Sequence, residues 1–164
     1  MSAALDILRT YRAPREVIRR RGSGSPREDR ALVTLLSACA VMFLGMLPVV
    51  QRQALEDPTT PFDARLGGAL MAWLFIVPLA LYLIAALSRL VARMMGGRGT
   101  WYQARIALFW ALLAAGPLWL FYGLLYGLAG LQPVTTAAGT LWLAAFLVFW
   151  GIGLYTLEED GETA

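Results

Sequence analysis

From Ile106 to Leu157 the chain contains no charged residue. About 20 apolar residues suffice to cross the hydrocarbon core of a bilayer, so this one run holds two spans. A water-soluble domain built on it would have no polar face to turn outward. The chain is therefore expected to be integral to a membrane, and an apolar content of 59% over 164 residues agrees. In lipid every backbone polar group needs an internal partner, and one uninterrupted apolar run per crossing selects helices.

The expected fold is all-α: a polytopic membrane helical bundle of four transmembrane helices preceded by an amphipathic interfacial N-terminal helix. Three segments divide the chain. Residues 1–30 form an Arg-rich cytoplasmic segment. Residues 31–157 form the membrane domain, with spans at about 31–50, 66–88, 106–128 and 134–156. Residues 158–164 form an acidic, frayed cytoplasmic tail. In the first segment Ala4, Ile7, Leu8, Tyr11 and Ile18 share a helical arc, with Arg9, Arg12, Arg19 and Arg20 beside or opposite it. Pro14 kinks or splits that helix.

Three helix-start signals punctuate the chain: Ser25-Pro26-Arg27-Glu28, Thr60-Pro61-Phe62-Asp63 and Thr100-Trp101-Tyr102-Gln103. Gly96 and Gly97 end the second helix, since glycine takes the left-handed conformation that closes a helix. Pro78 is expected to kink the second span, and Pro117 lies inside the third.

Orientation follows from arginine. Eight arginines precede the first span, and Arg89, Arg93, Arg98 and Arg105 flank the loop between the second and third. Arg52 and Arg65 share the first loop with Glu56, Asp57 and Asp63, and the third loop is uncharged. The positive-inside rule places the N-terminus, the glycine loop and the C-terminus in the cytoplasm, here of a bacterial inner membrane.

The inventory removes most intramembrane chemistry. All fourteen basic residues are Arg, and His, Lys and Asn are absent, which excludes Ser–His and Ser–Lys pairs and the usual metal ligand. No span carries Asp or Glu, so a paired-aspartate protease and a proton relay lack their groups. The single Cys39 has no base beside it and reads as a small apolar residue. Leu36-Ser37-Ala38-Cys39 matches a lipoprotein cleavage box, but the apolar run before it, "ALVTLL", is too short for a signal peptide. No enzyme and no cofactor are expected. The net charge of +3 sits beside apolar spans, which favours anionic phospholipid over nucleic acid.

"MMGGRGTWYQAR", Met94 to Arg105, is the most unusual stretch. It lacks the Lys of a phosphate-binding Walker loop and the preceding strand and spacing of a dinucleotide fold, so no nucleotide is expected. The helix that follows still offers free N–H groups and a positive dipole end to the headgroup layer. Arg89, Arg93, Arg98, Thr100, Trp101 and Arg105 form the candidate anionic-lipid or docking site, with plain topological anchoring the alternative. Gly123 and Gly127 form a GxxxG, the candidate helix-packing motif, serving either this bundle or a homo-oligomer or larger complex.

From Leu87 to Leu120 the run "LSRLVARMMGGRGTWYQARIALFWALLAAGPLWL" resembles the Yip1-domain family of multispanning membrane proteins, in particular its short bacterial members. Gly96, Gly97, Gly99, Arg105 and Pro117 carry the likeness, and "TYRAPREVIRRR" from Thr10 to Arg21 adds to it. The resemblance implies a helical bundle behind a polar cytoplasmic N-terminus, and no catalysis. The family usually has five spans where four are counted here. Eukaryotic members bind small GTPases, and nothing in this sequence marks a surface for one. The function expected is a membrane-organising or adaptor role, with an accessory subunit of a larger complex or a small transporter as the alternatives.

Overall fold

The computed structural model describes residues 3–23 and 27–160, and these are helical almost throughout. Two short helices, α1 (Ala3–Thr10) and α2 (Pro14–Gly22), precede α3 (Glu28–Glu56). The next crossing is one continuous rod of α4 (Phe62–Met71), a π-helical turn (Ala72–Ile76) and α5 (Val77–Met94). Then come α6 (Trp101–Ala114), α7 (Gly116–Ala129) and α8 (Pro133–Asp160). α3, the α4–α5 rod and α8 are each long and apolar enough to cross a membrane, and α6 with α7 makes a further crossing if their 42° bend is counted within one span.

The prolines set the irregularities. Pro78 has no N–H to give, and the π-helical turn at Ala72–Ile76 directly precedes it, so the backbone absorbs the lost bond by widening rather than by breaking. Pro117 acts differently. The helix expected to run through it ends at Ala114, and a second begins at Gly116, with Pro117 in the first turn where its missing N–H costs nothing. Pro48 lies inside α3, which continues past the expected end of the first span to Glu56.

α6 is the centre of the bundle. It packs against α3, α5, α8 and the N-terminal helices, and Ile106, Leu108, Phe109 and Trp110 are wholly or almost wholly buried. A helix enclosed on every side is apolar all round, which accounts for the absence of a polar stripe between Ile106 and Ala114. α5 and α8 turn long apolar faces outward, including Leu79, Leu83, Leu141 and Val148.

The N-terminal segment differs from expectation. Pro14 splits it into two helices, as expected, and both pack on the bundle, α1 on α6 and α2 on α6 and α8. The proposed apolar arc comes apart: Ile18 is buried, Ile7 packs partly against the core, and Leu8 is exposed. α1 buries Asp6 and Thr10 while Leu5 and Leu8 face outward. The inward face is polar because its partners are polar.

One start signal also needs correction. Thr60 forms no cap: α4 begins at Phe62 after Pro61, with no side-chain cap. Arg65 instead donates to the Thr60 carbonyl and pairs with Asp57 at 2.7 Å. Ser25 and Pro26 of the first signal lie outside the described residues, and Arg27 at the α3 N-terminus makes no side-chain cap.

Candidate functional site

The glycine loop joins α5 to α6 with both ends built locally. Gly97 N–H donates to Ala92 O at 2.8 Å and Gly96 N–H to Arg93 O at 3.1 Å, with Gly96 at φ +92°. This pair of bonds around a left-handed residue is a Schellman stop. On the other side Thr100 and Gln103 form a reciprocal capping box: Gln103 N–H donates to Thr100 Oγ1 and Thr100 N–H to Gln103 Oε1. Such a box stabilises a helix start by about 1 kcal/mol.

The anion at this loop comes from the chain itself. Glu158, near the end of α8, accepts the Gly99 N–H at 2.6 Å and pairs with Arg89 Nη1 at 3.2 Å. Arg89 also donates to the Gly97 carbonyl. Side chains at Gly97 or Gly99 would collide with the Glu158 carboxylate, so both glycines make room for it. Glu158 does not belong to a frayed tail: α8 stays helical through Asp160 and carries it into this bond network. Residues 161–164 of that tail lie outside the described residues.

The six candidate residues therefore divide. Arg89 is buried and neutralised by Glu158. Arg105 pairs with Glu28 at 2.6 Å, tying the start of α6 to the start of α3, and stacks at 6.0 Å over the Tyr82 ring. Thr100 is spent on the cap. Arg93 and Arg98 are exposed and make no ion pair among the described residues. Trp101 is exposed beside them.

Sequence reasoning missed a second polar centre, between the N-terminal helices and α6. Asp6 receives both Arg20 and Arg21, the latter at 2.7 Å. Arg21 lies 3.6 Å over the ring of Trp110, and Trp110 donates its indole N–H to Thr10 Oγ1 at 3.1 Å. Thr10 donates in turn to the Asp6 carbonyl, and Tyr11 donates to Ala114 O at 3.0 Å. Burial acts to raise the Asp6 pKa, but hydrogen bonds from Arg21 and Arg20 and their charges outweigh it and hold it below the ordinary aspartate value. The basic triplet Arg19–Arg21 was visible in sequence, but its aspartate lies fourteen or so positions earlier, across Pro14.

The GxxxG motif is used inside the bundle. A Cβ at Gly123 would overlap the carbonyl oxygen of Gly45 on α3, and one at Gly127 would strike Pro48. Gly45 in turn faces the Trp119 ring, whose indole N–H donates to Met42 O at 2.8 Å. At the far end of the bundle Arg52 donates to the carbonyls of Gly127 and Leu128, closing the α7 C-terminus beside Gly130.

Among the described residues no three His, Cys, Asp or Glu side chains gather to hold a metal. Cys39 is free and buried. No protein-family model matches the sequence, and no curated protein or solved structure matches it either.

Proposed function

We propose that this protein is a non-enzymatic, four-span inner-membrane protein of Yip1-like type, with a membrane-organising or adaptor role at an anionic leaflet. Both termini and the glycine loop face the cytoplasm in this reading, since the arginines gather at that end of the bundle. One observation carries the lipid contact: of the loop arginines, Arg89 and Arg105 are neutralised internally, whereas Arg93 and Arg98 are exposed, as Trp101 is, and make no ion pair among the described residues. An aromatic ring at headgroup level flanked by two arginines suits an interface crowded with phosphates. Each such arginine contributes about 1 kcal/mol near an anionic surface, so the pair gives a preference of about thirty-fold.

The test is electron spin resonance on reconstituted protein, comparing immobilised spin-labelled phosphatidylglycerol with phosphatidylcholine. The wild type should select phosphatidylglycerol, and Arg93→Gln with Arg98→Gln should lose most of that selectivity. Equal selectivity in both proteins would refute the loop as the lipid contact.

A second reading, an accessory subunit of a larger membrane complex, draws on the apolar groove between α5 and α8. Val91, Ala92, Trp150 and Leu154 line it, and the Trp150 indole N–H is buried without a partner. Native mass spectrometry from mild detergent separates the readings, because a stoichiometric foreign subunit would replace the free-standing adaptor.

A further inference from the structure

A cavity of about 530 Å³ opens between α1, α2, α3 and α6. Arg20, Arg21, Arg27 and Arg30 line it, against only two carboxylates, Asp6 and Asp29. Those carboxylates are already engaged: Asp6 by Arg20 and Arg21, Asp29 by Arg27 at 2.8 Å. Arg30 has no ion pair among the described residues, and Arg21 keeps a buried Nε–H without an acceptor. Ser37 adds a hydroxyl two turns deeper on α3, with the Trp110 ring beside it, while the Thr34 hydroxyl is spent on the Arg30 carbonyl at 2.8 Å. The walls thus hold excess positive charge and unused donors around a space large enough for a phosphate and its ester groups.

We propose that this cavity binds the phosphate of one anionic phospholipid, its guanidinium donors supplied by Arg21 and Arg30. Guanidinium groups match phosphate oxygens in charge and geometry. The cavity begins at the first turn of α3 and reaches Trp110, roughly 13 Å along α6 from Trp101 at 1.5 Å per residue. Val33 on its wall is 63% exposed, and Leu36, outside the cavity on the same helix, is 46% exposed. An acyl chain leaving the phosphate has a surface to lie on there, and a free phosphate ion has no use for one. The proposal rests on the same reading of this end as facing an anionic leaflet, but on different arginines.

The experiment is native mass spectrometry of the full-length protein titrated with phosphatidylglycerol, with phosphatidylcholine as control. The wild type should hold one phosphatidylglycerol far more tightly than any that follow. Arg30→Gln, at an exposed position outside the docking contacts, should weaken that one lipid about tenfold. Arg93→Gln with Arg98→Gln should leave it in place. Ten millimolar inorganic phosphate should not displace it, whereas displacement would identify a free-phosphate site and overturn the lipid assignment. Wild-type affinity in Arg30→Gln would also overturn the proposal, and the loop reading would then stand or fall on the spin-label comparison alone.

Discussion

Arg89 on α5 and Glu158 on α8 meet beneath the glycine loop, 3.2 Å apart, and Glu158 also takes the Gly99 N–H. The side chains are only 9% and 18% exposed, so this pair is shielded from solvent and salt. It joins the second and last long helices at the mouth of the groove between them, and it sets a carboxylate of the chain itself against the loop.

Glu158→Gln removes the charge and leaves Arg89 buried without a counterion. The expected cost is about 2 kcal/mol, read as a lower unfolding midpoint in detergent. Exchanging the pair, Arg89→Glu with Glu158→Arg, should not restore stability, because the Gly99 N–H would then face a guanidinium. Full recovery in the exchanged protein would show that the loop amide contributes nothing.

Gly123→Ala places a methyl group against the Gly45 carbonyl and should destabilise the α3–α7 crossing by about 1–3 kcal/mol. Gly151→Ala meets nothing within 4 Å and should be neutral or stabilising by up to about 1 kcal/mol. Steric-trapping measurements in bicelles give both values. A changed oligomeric state in Gly123→Ala with unchanged stability would move the motif to an intermolecular interface.

The docking of the N-terminal helices should depend on acid. The Asp6 pKa is lower folded than unfolded, so its contribution is complete above the unfolded value, about 3.9, and is lost as pH falls through the folded one. Amide hydrogen exchange across α1 and α2, relative to the intrinsic rate at each pH, should be slow at neutral pH and should speed up below about pH 4. Asp6→Asn should show the released state already at pH 7. Equal protection in Asp6→Asn and wild type would contradict this.

Gly130→Ala should cost about 1–3 kcal/mol, because φ +72° and ψ −156° lie in a region open essentially to glycine and a Cβ would meet the Arg52 guanidinium at 2.8 Å. Arg52→Ala, which gives up the contacts to Gly127, Leu128 and Glu56, should cost about 1 kcal/mol. Thermal unfolding of the two single variants and the double variant measures their coupling, and additive losses would show that Arg52 does not cap α7.

What was legible in the sequence was local. Gly96 and Gly97 stop α5, and Thr100 and Gln103 start α6, because each device closes within a few residues. Thr60 looked the same on paper, but Pro61 fixes the entry geometry and Arg65 captures the loop carbonyl instead. Gly123 and Gly127 were recognisable as a packing face, while Gly45 and Pro48 opposite them were not, since the pairing depends on how α3 and α7 cross. Glu158 escaped for the same reason: its partners lie 59 and 69 positions away. The α1–α2 pair follows the same pattern, its buried face carrying Asp6 and Thr10 where the apolar arc favours Leu8.

The amide resonance of Gly99, in protein reconstituted into nanodiscs, reports directly on which anion fills the loop. If Glu158 fills it, the wild-type resonance moves far more in Glu158→Gln than it does as phosphatidylglycerol replaces phosphatidylcholine. A wild-type resonance that titrates with phosphatidylglycerol, and is indifferent to Glu158→Gln, would contradict the account.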